Sequence, residues 1–302
     1  MIRLITYLFI TFLSITVTLA QVKTEEILIK NDGIELPGTL TYNKEKSPLI
    51  IFIHGSGGVD RTGGASKMIQ QFGNEIIKSD IAFFAYDKRT SNKNNVAILK
   101  QGVLFNDFVS DAKKVVNHFK NDKRFTEIIL VGHSQGSLVA MLASENIHKY
   151  ISLAGAGETI DKSLIRQTTK QNIQLGKTTE AHLKELKETG EIKNVDPSLM
   201  ILFAPQNQPF FNQWISLNPT EEIKKVKVPI LIINGNKDIQ VLENDAKNLH
   251  DANPKSELVI IDKMNHLIKH IEKDEDNLKS YTTPNFPISK KLIETIVSFV
   301  KK

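Results

Sequence analysis

The chain has 302 residues, 40% of them hydrophobic and 24% charged, the balance of a soluble globular protein. Its 39 Lys and Arg against 34 Asp and Glu leave a net charge of +5, but acids and bases are interleaved, as in Glu221-Glu222-Ile223-Lys224-Lys225, and no basic stripe with aromatics offers a nucleic-acid groove. There are no cysteines, which excludes disulfides, thiolate metal sites, a thiol nucleophile and a lipidated N-terminal cysteine.

Residues 1–20 read as a separate unit. Met1-Ile2-Arg3 is a short positive segment, Leu4 to Val17 is almost wholly apolar, and Thr18-Leu19-Ala20 offers a small-residue cleavage site. The apolar run is short for a bilayer span and no positive cluster follows it. The expectation is a cleaved export signal, a mature chain from Gln21 without stable membrane insertion, and a secreted or periplasmic location.

The elements of residues 21–302 follow in order. Glu26 to Lys30, the turn Asn31-Asp32-Gly33 and Ile34 to Tyr42 predict a hairpin. Leu49 to Ile53 is a continuous apolar run, as a buried parallel strand should be. A helix is expected over Ser66 to Lys78 and a second buried strand over Ile81 to Tyr86. Phe105, Phe108, Val109, Ala112, Val115, Val116 and Phe119 fall at helical spacing. Glu127 to Val131 is a strand, Ser137 to Ala143 helix-compatible, and Tyr150 to Ala154 another short strand. From 158 to about 217 the alternation stops. This segment is polar, helix-compatible and closed by an aromatic cluster, Phe203, Phe210, Phe211 and Trp214. Strands then return at Val228 to Ile233 and Leu258 to Ile261, with helices over Asn244 to Leu249 and Ile288 to Val300. Such alternation predicts an α/β fold with a mainly parallel sheet flanked by helices and a helical cap inserted at about 158–217. The aromatics at the end of that insertion could form a pocket or pack the cap onto the core.

Between the strand Glu127 to Val131 and its helix stands Gly132-His133-Ser134-Gln135-Gly136. A G-x-S-x-G sequence between a strand and a helix is a nucleophile elbow: a sharp turn that lifts a serine out of the sheet. A serine needs a base, and the base an orienting acid. Asp238 follows the strand ending at Ile233, and His266 follows the strand ending at Ile261. Loops at the carboxyl ends of parallel strands share one edge, so Ser134, Asp238 and His266 can meet there. Asp245 and Asp262 are the rival acids. His118, His148, His182, His250 and His270 are expected on the surface or in helices, and His133 to point away from the serine. His54-Gly55-Ser56-Gly57-Gly58 lacks the spacing of a phosphate loop. Its glycines let backbone N–H groups approach a developing negative charge, so Ser56 and Gln135 are the expected oxyanion donors. The charges of Asp60-Arg61 and Asp87-Lys88-Arg89 pair and pin their loops, or else Arg61 or Arg89 meets an anionic substrate group.

With His54-Gly55, Gly132 to Gly136, Asp238 and His266 in place, the chain resembles the α/β-hydrolase fold superfamily over nearly all of residues 22–302. Within it the chain is similar to bacterial serine esterases grouped with the prolyl-oligopeptidase-like hydrolases, which have segments like Tyr86-Asp87-Lys88-Arg89 and Met264-Asn265-His266-Leu267. It departs from them at Gly58, where proline is common. The resemblance implies a carboxylesterase-type serine hydrolase that forms an acyl-enzyme on a small-molecule ester and uses neither metal nor organic cofactor. A small aminopeptidase or amidase of the same fold, or a non-catalytic binding protein, is the alternative. A peptidase propeller is excluded, because only a short hairpin precedes the first core strand.

Overall fold

The computed structural model describes residues 21–100 and 102–302, so the export-signal segment 1–20 lies outside the described residues. Eight strands form one sheet: β1 (Lys23–Asn31), β2 (Ile34–Tyr42), β3 (Ser47–Ile53), β4 (Ala82–Tyr86), β5 (Phe125–His133), β6 (Lys149–Leu153), β7 (Ile230–Gly235) and β8 (Glu257–Ile261). Their spatial order is β1-β2-β4-β3-β5-β6-β7-β8. The hairpin β1–β2 is antiparallel and joins β4 antiparallel, while β4, β3 and the strands beyond them are parallel.

Helices cover both faces. In chain order they are α1 (Met68–Ile76), α2 (Val96–Leu99), α3 (Phe105–Phe119), α4 (Gln135–Leu142), α5 (Ile160–Gln171), α6 (Ile173–Thr189), α7 (Met200–Phe203), α8 (Gln208–Ile215), α9 (Pro219–Glu222), α10 (Glu243–Ala252), α11 (Asp276–Lys279) and α12 (Lys290–Val300). None of them is long and apolar enough to cross a membrane.

The period of two along each strand divides the core. Ile50, Phe52, Ile129, Val131, Ile151, Leu153, Leu231 and Ile233 bury one face under α1 and α12. Leu49, Ile51, Ile53, Ile128, Leu130, Tyr150, Ile230 and Ile232 bury the other under α3, α4 and α10. A strand covered on both sides must be apolar at every position, which is why these segments read as unbroken hydrophobic runs.

The chain leaves β3 for β4 on one side and later enters β5 on the other. The carboxyl ends of β3 and β5 therefore flank a crevice with loops diverging from it, the place where parallel sheets accept ligands. The loop after β3 and the turn after β5 open into it. Helices α5, α7, α8 and α9, between β6 and β7, supply part of its wall.

Candidate active site

Ser134 connects β5 to α4 with φ 54° and ψ −123°, a conformation few non-glycine residues adopt. The turn is held by the Ser134 N–H, which donates to Leu153 O at 3.0 Å. It is possible only because two neighbours lack a side chain. A Cβ on Gly136 would lie 2.3 Å from Ile53 O, and one on Gly132 would lie 2.3 Å from Gly136 O. The G-x-S-x-G pattern is thus the signature of a helix start pressed against the backbone of two strands.

His266 follows β8 in a tightly pinned loop. Its Nε2 is 3.1 Å from Ser134 Oγ, and its Nδ1 is 2.7 Å from Asp238 Oδ2. Asp238 follows β7; its other oxygen accepts the N–H groups of Gln240 at 2.8 Å and Val241 at 3.0 Å. Both side chains of the pair are buried. The carboxylate oxygen accepts, so Nδ1 carries the hydrogen and Nε2 is left to accept the serine proton. The rival acids lie elsewhere. Asp245 caps α10 by accepting from Leu242 N at 2.8 Å and also accepts from Gly157 N at 3.0 Å, and Asp262 accepts from Asn236 Nδ2 at 2.7 Å on the surface.

The loop around His266 is fixed from several sides. Asn265 donates to Asn277 Oδ1 at 3.0 Å and Ser280 Oγ at 2.8 Å. Lys269 is fully buried and donates to Ser66 O, Phe286 O and Gln71 Oε1; burial pushes its ammonium down to about 8. Ile268 holds φ 56°, costly for a β-branched residue.

His133 departs from the expectation. Its ring does not point away from the serine's neighbourhood but packs against His266, centroids 4.9 Å apart, and its Nε2 donates to His266 O at 2.7 Å. The alternation of β5 explains this, since His133 shares the face of Val131, on which the loop after β8 packs. Burial, followed by repulsion from His266, pushes its pKa down to about 3, so it serves as a neutral donor. His54 is likewise neutral, pushed down to about 3 by burial, and bonds Tyr86 O, tying the end of β3 to the end of β4.

Ser56 and Gln135 both line the cavity with Ser134 and His266. Among the described residues, no acceptor meets the backbone N–H of either. These are the two donors a carbonyl oxygen would need when it gains negative charge.

The sequence reading missed Lys88. It is buried, donates to Gly55 O at 2.7 Å and Gln135 Oε1 at 2.8 Å, and its Nζ stands 4.3 Å from the centroid of the Phe108 ring. Desolvation pushes its ammonium down to about 7. The neighbouring charges pin loops. Arg61 pairs with Glu26 at 2.6 Å and Asp87 at 3.3 Å, and Arg89 holds Asp111 through two bonds of 2.7 and 2.8 Å.

The cavity over Ser134 has a volume of about 890 Å³. Phe108, Leu138, Leu164, Phe210, Phe211 and Trp214 give it an apolar wall. Phe203 is fully buried and packs behind Phe211, with centroids 5.4 Å apart. The aromatic cluster thus does both things the sequence allowed: three of its members face the cavity, and the fourth packs the core.

Against known proteins, the BD-FAE family model matches residues 39–252. The chain belongs to the BD-FAE family. A curated relative, esterase EstD of Thermotoga maritima, is 25% identical over 245 residues, covering 77% of this chain. The alignment spans 58% of that relative's own length. Among solved structures, Est1E from Butyrivibrio proteoclasticus superposes with a TM-score of 0.60 at 20% identity, covering 92% of this chain and 99% of its own. The Pyrococcus furiosus esterase Pf2001 gives a TM-score of 0.61 at 16% identity over 92% and 91% of the two chains. At such identities the likeness fixes the fold, which is that of the α/β-hydrolases.

Proposed function

We propose that this BD-FAE family member is a carboxylesterase in which Ser134 is the nucleophile, His266 the base and Asp238 the acid that orients it. The observation that carries this reading is the unbroken hydrogen-bonded series from Ser134 Oγ through both nitrogens of His266 to Asp238, at the floor of a large apolar cavity. The esterase name of EstD supports it.

Each step uses a group already described. Ser134 Oγ attacks the ester carbonyl while His266 Nε2 takes its proton. Asp238 keeps Nδ1 protonated and stabilises the imidazolium that forms. The carbonyl oxygen becomes an oxyanion facing the N–H groups of Ser56 and Gln135, and the positive end of α4 adds to their effect. The tetrahedral intermediate expels the alcohol, which takes the proton from His266. Water then enters, loses a proton to His266, and cleaves the acyl-enzyme by the reverse sequence. The aromatic wall suits an acyl group with a flat or bulky apolar body. A solved structure of Est1E holds ferulic acid, so hydroxycinnamoyl esters belong in the substrate panel beside nitrophenyl esters and aminoacyl amides.

Ser134→Ala should lower esterase activity on the order of 10⁴-fold or more and abolish labelling by a fluorophosphonate, with the circular dichroism spectrum unchanged. Full activity in that variant removes Ser134 from the mechanism. Amide turnover exceeding ester turnover would favour the amidase alternative. The same reading keeps residues 1–20 as an export signal. Amino-terminal sequencing of the protein from its native host should then begin at or near Gln21, and an intact Met1 on membrane-bound protein would overturn export with cleavage.

A further inference from the structure

Lys88 is a buried cation that pairs with no carboxylate among the described residues. Its three ammonium hydrogens have three neutral partners: Gly55 O, Gln135 Oε1 and the face of Phe108. Isolated buried charges are costly, and those that persist are held by something the fold needs. Here both oxygen partners belong to the residues that carry, or adjoin, the two free N–H donors.

The geometry at Gly55 is the more telling. Gly55 C=O and Ser56 N–H belong to one planar trans peptide and point in opposite directions. A cation that holds Gly55 O in place therefore also sets the direction of Ser56 N–H, whose residue lines the cavity with Ser134. The same contact polarises the peptide and strengthens that N–H as a donor. At Gln135 the ammonium holds the side-chain oxygen, and with it the first residue of α4, whose own N–H is the second donor. A side chain is not needed at position 55, and a Cβ there would stand 3.2 Å from both His133 Nδ1 and Ser134 Cβ. The Lys88 backbone N–H also donates to Val59 O at 3.1 Å, which locks the loop after β4 to the far end of the oxyanion loop.

Resting on the esterase reading, we propose that Lys88 is the positioning residue of the oxyanion hole: through the Gly55–Ser56 peptide and Gln135 it sets the direction and strength of both donors. It touches no reacting atom. Its contribution is electrostatic preorganisation, present in the transition state and nearly absent when the neutral ester first binds.

The titratable groups packed around Lys88 are His54 after β3, Tyr86 and Arg89 at the end of β4, and Asp111 with Asp107 on α3. His133 and His266 lie across the elbow. Both acids on α3 are engaged by Arg89, and His54 and His133 are held neutral, so Lys88 is the cation nearest the donors that can lose its charge. Burial lowers its pKa to about 7, so the charged form predominates below that pH and is lost as pH rises through it. Its effect on turnover must therefore fade on the alkaline side.

The test uses the full chain with p-nitrophenyl butyrate and a fluorophosphonate probe. K88M should lower kcat on the order of 10- to 100-fold, with KM changed by less than about threefold. Its rate of fluorophosphonate labelling should fall in the same ratio, because that reaction also places charge on the bound oxygen. K88R keeps a charge that does not titrate in this range, so it should lack the alkaline decline in kcat expected of the wild type. This second comparison is made within each protein across pH and stands even where K88M does not fold. With active wild type, a K88M kcat within about threefold of it, or an alkaline decline shared by K88R, overturns the role of Lys88. A wild type that neither labels nor turns over the ester overturns the esterase reading instead, and this proposal with it.

Discussion

At the floor of the cavity the working groups are fixed by backbone packed on backbone, whereas at its wall the surfaces are fixed by side chains packed on side chains. The floor admits almost no variation. Gly132 and Gly136 sit where any Cβ collides with main chain, and a Cβ on Gly235 would stand 2.0 Å from Met264 O, where β7 passes the histidine loop. The wall is different. Phe210, Phe211 and Trp214 pack with centroids 5.4 to 6.0 Å apart on a short helix, and Ile201 beside them is 90% exposed. Residues of this kind can be exchanged without moving the sheet edge. Chemistry and substrate preference are thus held by parts of the molecule under different constraints.

That contrast can be broken by measurement. Asp238→Asn keeps the shape of the floor but inverts the hydrogen-bonding demand on His266, leaving the wrong tautomer facing Ser134. It should lower kcat on the order of 10³- to 10⁴-fold near neutral pH, while Asp262→Asn changes kcat by less than about threefold. If Asp262→Asn were the crippling change, the acid would have to be sought at the end of β8. A smaller effect belongs to the wall. Phe210→Ala removes an aromatic face from the cavity and should raise KM for long or aromatic acyl esters about 5- to 20-fold, leaving kcat for a short acetyl ester within about threefold. Steady-state kinetics across an acyl series checks this. A kcat loss equal for every acyl group would mean that the wall positions the floor as well.

The same contrast explains what was legible in the sequence. Ser134, Asp238 and His266 each stand just past a run of apolar residues, because the loops that end buried parallel strands must reach one edge. The glycines around Ser134 report backbone contact directly. Such local patterns placed every core strand within a few residues. The position of β4 between β2 and β3 was not legible, since strand order is set by pairing between segments far apart in the chain. Nor was Lys88. A buried lysine is expected beside an acid, and its flanking residues Asp87 and Arg89 suggest surface ion pairing. Its partners are a main-chain oxygen 33 residues away and a glutamine 47 residues away. One signal was available: the residue lies at the carboxyl end of a buried strand, on the edge where the elbow emerges. The place of His133 was not legible either, because the turn at Ser134 masks the strand alternation that sets the ring of the preceding residue on the face of Val131.

The spread of the three groups along the chain has a consequence for biosynthesis. Ser134 and His266 are separated by 132 residues, and Asp238 precedes His266 by 28. Translation runs from the amino terminus, so the elbow is complete long before β7 and β8 exist. A nascent chain ending before residue 266 carries the nucleophile without anything to take its proton. On the proposed roles, hydrolytic competence therefore arrives late and all at once, when the final strand docks on the edge of the sheet. Until then the polypeptide would be chemically silent, and any break that removes His266 and everything after it would return the chain to that state.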